Sequence, residues 1–380
     1  MKPVYLDYNA TTPIDRRVLE AMQEWFAGPP ANSGSRTHIY GQNAREAVEA
    51  ARVQVADVLG ASSEDVFFTS GATESNNIAI LGLAGFAEKS GRKHILSTAI
   101  EHKAVLEPLD ELRRRGFDVE LLPVTTGGYL DPETVKKRLR SDTLLISVMH
   151  ANNETGVLQP VHEIASLLDG TDTLFHTDAA QTFGKEVDEL RALHCDFISI
   201  SSHKIYGPQG VGALYVRRRE AARRPLAPLL FGGGQERGLR PGTIPVPLVV
   251  GLGTAAALAT TEFRERAFAA KQVKDALLEG LQAVNFHVNG DLNRSQSHVL
   301  NVSFPGVDSE ALMMALRDEI AISNGSACTS ASYAPSHVLL AMAINEDRIN
   351  ESIRVSWGLG VDTIPVDLIV SAIERMRIDF

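Results

Sequence analysis

Phe175-His176-Thr177-Asp178-Ala179-Ala180-Gln181 ends an apolar, strand-like run in a carboxylate, and 26 residues after Asp178 a second such run ends in Ser201-Ser202-His203-Lys204-Ile205-Tyr206-Gly207-Pro208. That spacing is about one crossover between neighbouring parallel strands. It brings Asp178 and Lys204 out at the same carboxyl edge of a sheet, where open α/β folds bind ligands. Lys204 alone would read as a lysine snorkelling to the surface. Beside Asp178, directly after a buried strand, it reads as an amine whose desolvation frees it as a nucleophile.

Outward from this pair, short Val-, Ile- and Phe-rich runs alternate with helix-like segments: 66–69, 94–98, 119–124, 144–150, 174–177, 197–201 and 211–216. The alternation predicts βαβ units and a mainly parallel, buried sheet of seven strands. Asp131-Pro132-Glu133 is an N-cap, a first-turn proline and an early acid ahead of the basic run to Arg140, and predicts a helix of about three turns. Past the Pro- and Gly-rich stretch 224–247 the pattern changes to a long Ala- and Leu-rich helical region to about Val284, strand-like runs at 299–304 and 353–357, and an amphipathic helix over 309–320. The fold class expected is α/β: a large domain over 16–260, and a smaller α+β domain from 1–15 and 261–380.

Three further strand ends supply chemistry. Thr69-Ser70-Gly71-Ala72-Thr73 is a glycine turn with hydroxyls opening a helix, suited to a phosphate. Ile100-Glu101-His102-Lys103 brings an imidazole. His150-Ala151-Asn152-Asn153-Glu154 places amides at the same edge. A carboxylate for a pyridinium nitrogen, an amine for an aldehyde and a phosphate cradle are together what pyridoxal phosphate needs. GxxxxGK[ST], HExxH and GxSxG are absent, and no metal site is expected. Gly251-Leu252-Gly253-Thr254-Ala255-Ala256 matches a dinucleotide fingerprint, but prolines spoil the preceding strand and close helix packing explains the glycines better.

With these blocks, together with Tyr5-Leu6-Asp7-Tyr8-Asn9-Ala10-Thr11-Thr12-Pro13, Arg240-Pro241-Gly242-Thr243 and Gly325-Ser326-Ala327-Cys328-Thr329-Ser330, the chain resembles, over essentially all its length, the cysteine desulfurases of the class V aminotransferase superfamily, fold-type I pyridoxal phosphate enzymes. The resemblance implies that Lys204 binds pyridoxal 5′-phosphate, Asp178 faces its ring nitrogen, Gln181 its ring hydroxyl, and His102 stacks on the ring as acid and base. Thr73, Ser201 and His203 would hold the phosphate, with Thr243 arriving from a second copy, so a homodimer is implied, and Ala72 and Asn153 would also contact the cofactor. Arg354 would grip the substrate carboxylate, assisted by Asn153 and Asn32. The chain reads Ala31-Asn32-Ser33 where many relatives have Gly-Asn-Pro, which changes the loop around Asn32.

By the same resemblance Cys328 is the nucleophile: it takes sulfur from L-cysteine, leaving L-alanine and a persulfide to be passed to an acceptor protein in iron–sulfur cluster assembly, tRNA thiolation or DNA phosphorothioation. The rival readings are another class V activity, an aminotransferase or selenocysteine lyase, or a cofactor-free scaffold. Cys195 reads as a packed core thiol.

Composition bounds the rest. The 380 residues suffice for two domains, and 37 basic against 47 acidic residues give a net charge of −10, unlike a surface built to neutralise nucleic-acid phosphates. Two cysteines and no basic-then-apolar leader predict a reducing, cytoplasmic setting. The longest weakly polar run, 247–260, falls short of a bilayer span, so no membrane contact is expected.

Overall fold

The computed structural model describes residues 3–30, 32–218, 225–325 and 335–378. Seven strands form one sheet: β1 (Val66–Thr69), β2 (His94–Thr98), β3 (Asp118–Leu122), β4 (Thr143–Ser147), β5 (Leu174–Asp178), β6 (Phe197–Ser201) and β7 (Gly212–Val216), in the order β1-β7-β6-β5-β4-β2-β3. β7 is antiparallel to both its neighbours, and every other pairing is parallel.

Successive side chains on a strand point to opposite faces, and here both faces are covered. Phe68, Leu96, Ile146, Phe175, Ile198 and Ala213 enter one apolar cluster. Their neighbours Phe67, Ile95, Leu145, Leu174, Phe197 and Leu214 enter another on the opposite face. This is why the strands read as continuous apolar runs. β3 is the exception, an edge strand with a largely accessible face, where Arg140 pairs with Asp118 at 2.7 Å and Arg138 with Glu120 at 3.4 Å. Charges of this kind blunt an open edge.

The helix expected to reach Arg140 stops after two turns, Pro132–Arg138. Arg140 is instead drawn to the edge strand by Asp118 and Asp142, and its N–H donates to Thr143 Oγ1.

A third apolar cluster lies outside the seven-stranded sheet. It is built on β8 (His287–Val288), β9 (Val299–Ser303) and β10 (Ser352–Ser356), an antiparallel sheet with β9 central, packed on helices Ser309–Leu316 and Val366–Ile378. The two bodies are joined by a continuous helix, Val246–Gly280. Its Val249, Leu252 and Ala256 belong to the large core, and its Ala270, Val273 and Leu277 to the small one. By length and composition this helix qualifies as long and apolar enough to cross a bilayer, yet its Val249, Leu252, Ala255, Ala256 and Ala259 are packed in the interior. A Cβ on Gly253 would lie 2.6 Å from Ala51 of helix Ile39–Leu59, so Gly251-Leu252-Gly253 is a close helix contact with no dinucleotide turn.

Candidate active site

Because β1, β2, β4, β5 and β6 run in one direction, their carboxyl ends open on one edge. There lies a cavity of about 400 Å³, lined by Ala72, Thr73, His102, Asn153, Asp178, Gln181, Ser201, His203, Lys204 and Arg354 among others.

Lys204 sits in a short 3₁₀ turn after β6, and its Nζ donates to the carbonyl oxygens of Asn9 and, at 2.7 Å, Ala10. The N-terminal segment is thus folded over the site. Thr12 Oγ1 donates to the His203 carbonyl at 3.0 Å, and Asn9 Nδ2 to the Asn153 carbonyl at 3.1 Å. Asp178, 6% exposed, is fixed by two donors: Ala180 N–H at 2.9 Å and Asn76 Nδ2 at 2.7 Å. Asn76 was not singled out from sequence, because nothing local marks a residue 102 positions from its partner.

His102 caps helix Lys103–Arg114, its Nδ1 accepting from Ala104 N–H at 3.1 Å. Burial lowers its pKa, Asp178 opposes that, and Lys204 reinforces it. With Nδ1 committed as an acceptor, the neutral ring carries its proton on Nε2. As it stands His102 is therefore a donor; to accept a proton at Nε2 the ring must exchange tautomer and give up the cap. His203 is held neutral, its pKa pushed down to about 4 by burial, and pairs through Nδ1 with Thr11 Oγ1 at 3.1 Å.

Arg354 lies in the middle of β10, 4% exposed. Its Nη2 pairs with Asp7 Oδ1 at 2.6 Å and its Nη1 donates to the Asn153 carbonyl at 3.0 Å, while Nε is buried without a partner among the described residues. Asn32 is exposed, its Oδ1 accepting from Gly34 N–H, and neither it nor the exposed Thr243 lines this cavity. Cys328 lies outside the described residues.

Two buried acids escaped the sequence reading. Glu101 is fully buried and its pKa is pushed up to about 8, chiefly by desolvation. Its Oε1 accepts from Thr98 Oγ1 and Met149 N–H. Glu154, also raised by burial, accepts from Ser336 Oγ at 2.5 Å. A Cβ on Gly325, at φ +84°, would lie 3.0 Å from Glu154 Oε2. Glu154 therefore stands beside Gly325 and Ser336, described residues that precede and follow Cys328 in the chain. Cys195 is a core thiol, donating to the Phe175 and Phe197 carbonyls and pushed well up by burial.

The donor set fits pyridoxal phosphate. Helix Ala72–Leu81 starts at Gly71 with no side-chain cap, leaving its first N–H groups for an anion. Gln181 Oε1 and Asn76 Oδ1 are buried without partners among the described residues. Such acceptors are costly to bury unless a ligand satisfies them.

The aminotransferase class-V family profile matches residues 4–368, and the chain belongs to that family. It is 48% identical to cysteine desulfurase IscS of Anaeromyxobacter sp. (strain Fw109-5), over 99% of this chain and 93% of that protein. Among solved structures it superposes on a NifS-like protein with a TM-score of 0.90 at 38% identity, covering all of both chains. It also superposes on DndA from Streptomyces lividans with a TM-score of 0.82 at 48% identity, covering 92% of this chain and 98% of that one. Within its family the chain is a cysteine desulfurase, an enzyme acting on L-cysteine.

Proposed function

We propose that the chain binds pyridoxal 5′-phosphate through the Lys204 amine and removes sulfur from L-cysteine in two stages, the second at Cys328. The observation that carries this reading is the convergence of Lys204, Asp178, His102 and Arg354 on one cavity of about 400 Å³.

When bound, the cofactor supplies an electron sink for the charge left as the substrate loses its α-proton. Asp178, oriented by Ala180 N–H and Asn76, would face the ring nitrogen. Gln181 offers its unpartnered oxygen to the ring hydroxyl. Ala72, Thr73, Ser201 and His203 hold the phosphate by hydrogen bonds, completed by Thr243 of a second copy. Arg354 meets the substrate carboxylate, with Asn153 beside it and Asn32 assisting from the neighbouring copy. Lys204 Nζ, released from the Asn9 and Ala10 carbonyls, carries the α-proton. His102, neutral with Nδ1 capping its helix, offers its Nε2–H as a hydrogen-bond donor to the substrate.

Cys328 then attacks the substrate sulfur as a thiolate. An S–S bond forms and the C–S bond breaks, its electron pair staying with carbon, which is protonated and leaves as L-alanine. No external oxidant is required, and Cys328 keeps the sulfur as a persulfide. An acceptor protein takes it up, for iron–sulfur assembly, tRNA thiolation or DNA phosphorothioation. The chain is 48% identical to both an IscS and a DndA, so identity alone does not separate these acceptors.

A homodimer is supported by Thr243 and Asn32, which are exposed away from their own cavity, and by the outward-facing Ile39, Tyr40, Leu230 and Phe231. The two apolar cores support a division into 16–260 and 1–15 plus 261–380, with the long helix shared. A reducing cytoplasm suits a thiol that must be free.

The test is a pair of variants. Cys328→Ser is expected to keep the cofactor's visible absorbance and lose sulfide release from L-cysteine, whereas Lys204→Ala loses both. Undiminished release in Cys328→Ser defeats the second stage.

A further inference from the structure

The turn that carries Lys204 separates two cavities. On one side is the cavity described above. Behind it, with Ile205 and Tyr206 in its wall, lies another of about 340 Å³ between the large and small cores. Gly184, Lys185 and Glu186, just beyond Gln181, line it from the large core. Ser295 to His298 and Trp357 to Asp362 line it from the other side.

Lys185 is the anomaly in this seam. Protein surrounds its amine, and the residue, partly exposed, lines the cavity. Among the described residues its one hydrogen bond is to His298 Nε2 at 3.0 Å, and it has no ion-pair partner. The imidazole is neutral, driven well below its ordinary pKa by burial and by Lys185 and Lys274. Glu186, the adjacent carboxyl, is turned to Gln296 Nε2 at 3.0 Å and is itself raised by burial. Arg266 adds a second cation to the wall, held by Glu262 at 2.7 Å. Burying an ammonium without a directly paired carboxylate is costly, and desolvation together with Lys204 pulls Lys185 down to about 7 against the opposing pull of Glu186. An anion in the cavity would remove that cost.

A second, independent feature describes the rest of the occupant. Gln296 is 2% exposed and lines the cavity, and its Oε1 has no partner among the described residues. Tyr206, Phe263 and Trp357 supply an apolar wall. Lys185, Arg266 and Gln296 stand beside this wall together with the carboxyls of Glu186 and Asp362, and an apolar wall with placed polar groups is the usual make-up of a small-molecule site.

We propose that this seam cavity binds a small organic carboxylate bearing a hydroxyl or amino group, the carboxylate on Lys185 Nζ and the donor on Gln296 Oε1. The occupant bridges the two cores and rests on the back of the Lys204 turn. That turn has little slack: Tyr206 is held at φ +68°, a left-handed conformation unusual for an aromatic residue, by its N–H to Thr12 Oγ1 and by Leu359 N–H to its hydroxyl. The site would therefore tie ligand occupancy to the stability of the seam.

Glycolate is the probe, because it has the carboxylate and the hydroxyl but no amine to react with the cofactor. Calorimetric titration of the holoenzyme is expected to show the same affinity in wild type and Arg354→Lys. It should weaken by about tenfold or more in Lys185→Met, which keeps the side-chain bulk, and in Phe263→Trp, which fills the cavity. No binding to wild type at about 100 mM, equal affinity in Lys185→Met, or loss confined to Arg354→Lys would each overturn the proposal. None of these outcomes bears on the desulfurase reading, which rests on Lys204 and Cys328.

Discussion

Lys204 and Lys185 line the two cavities on opposite sides of the same short turn, and both are only partly exposed. Lys204 donates to two backbone carbonyls and shares a cavity with Asp178, His102 and Arg354. Lys185 has an imidazole for company, in a cavity whose wall mixes Tyr206, Phe263 and Trp357 with Glu186, Arg266 and Gln296. Burial depth thus does not make a lysine catalytic. What matters is whether the groups around it can serve the cofactor: Asp178 and His102 share the cavity of Lys204, and neither lines the seam.

The comparison is broken most forcefully through the lysines themselves. Replacing Lys204 by Ala should lower cysteine turnover by about 10⁴-fold or more, since it removes both the cofactor's attachment and the proton carrier. Lys185→Met should stay within about tenfold of wild type in an alanine-formation assay. Near-equal losses in the two variants would erase the distinction.

The next effect concerns Arg354. Its planar fork is already held by Asp7 and the Asn153 carbonyl, so Arg354→Lys should raise KM for L-cysteine by about 10- to 100-fold while leaving cofactor absorbance in place. A KM unchanged in steady-state kinetics would remove Arg354 from substrate binding.

Glu154→Ala leaves Ser336 Oγ without its acceptor at a buried site. Denaturant unfolding should show a loss of about 1–3 kcal/mol, largely recovered in Glu154→Gln, which keeps a polar partner. Equal destabilisation by the two variants would mean that packing, not the hydrogen bond, matters there.

The smallest effect is in the pH dependence of stability. Lys185 has a folded pKa near 7 against an ordinary 10.5. Between those values the unfolded chain binds more protons than the folded one, so its contribution makes stability rise with pH across that window. Lys274, lowered to about 8, acts in the same direction. In thermal melts, Lys185→Met should flatten the rise without abolishing it. An unchanged slope would show that Lys185 keeps its proton when folded.

Much of the catalytic cavity was readable along the chain because it is built from strand ends. An apolar run of five residues can be found by inspection, and parallel strands bring whatever follows each run to one edge. Asp178, Lys204, His102 and Asn153 were accessible for that reason. Asn76 on Asp178, Ser336 on Glu154 and His298 on Lys185 were not, since each is a contact between residues more than 100 positions apart in the chain. Lys185 follows Gln181 closely and carried no local sign that its partner would be an imidazole from the small core. The helix predicted to reach Arg140 failed for a similar reason, because the pull of Asp118 across the sheet edge outweighed the local helix signal.

The central claim is that a thiol of this chain takes the substrate's sulfur after Lys204 has engaged the cofactor. One equivalent of L-cysteine added to the holoenzyme, followed by rapid alkylation and peptide mass spectrometry, tests it directly. The Cys328 peptide is expected to gain the mass of one sulfur, with L-alanine released in matching amount and the Cys195 peptide unmodified. L-Alanine formed with no added sulfur on Cys328, or sulfur found on Cys195, would contradict the account.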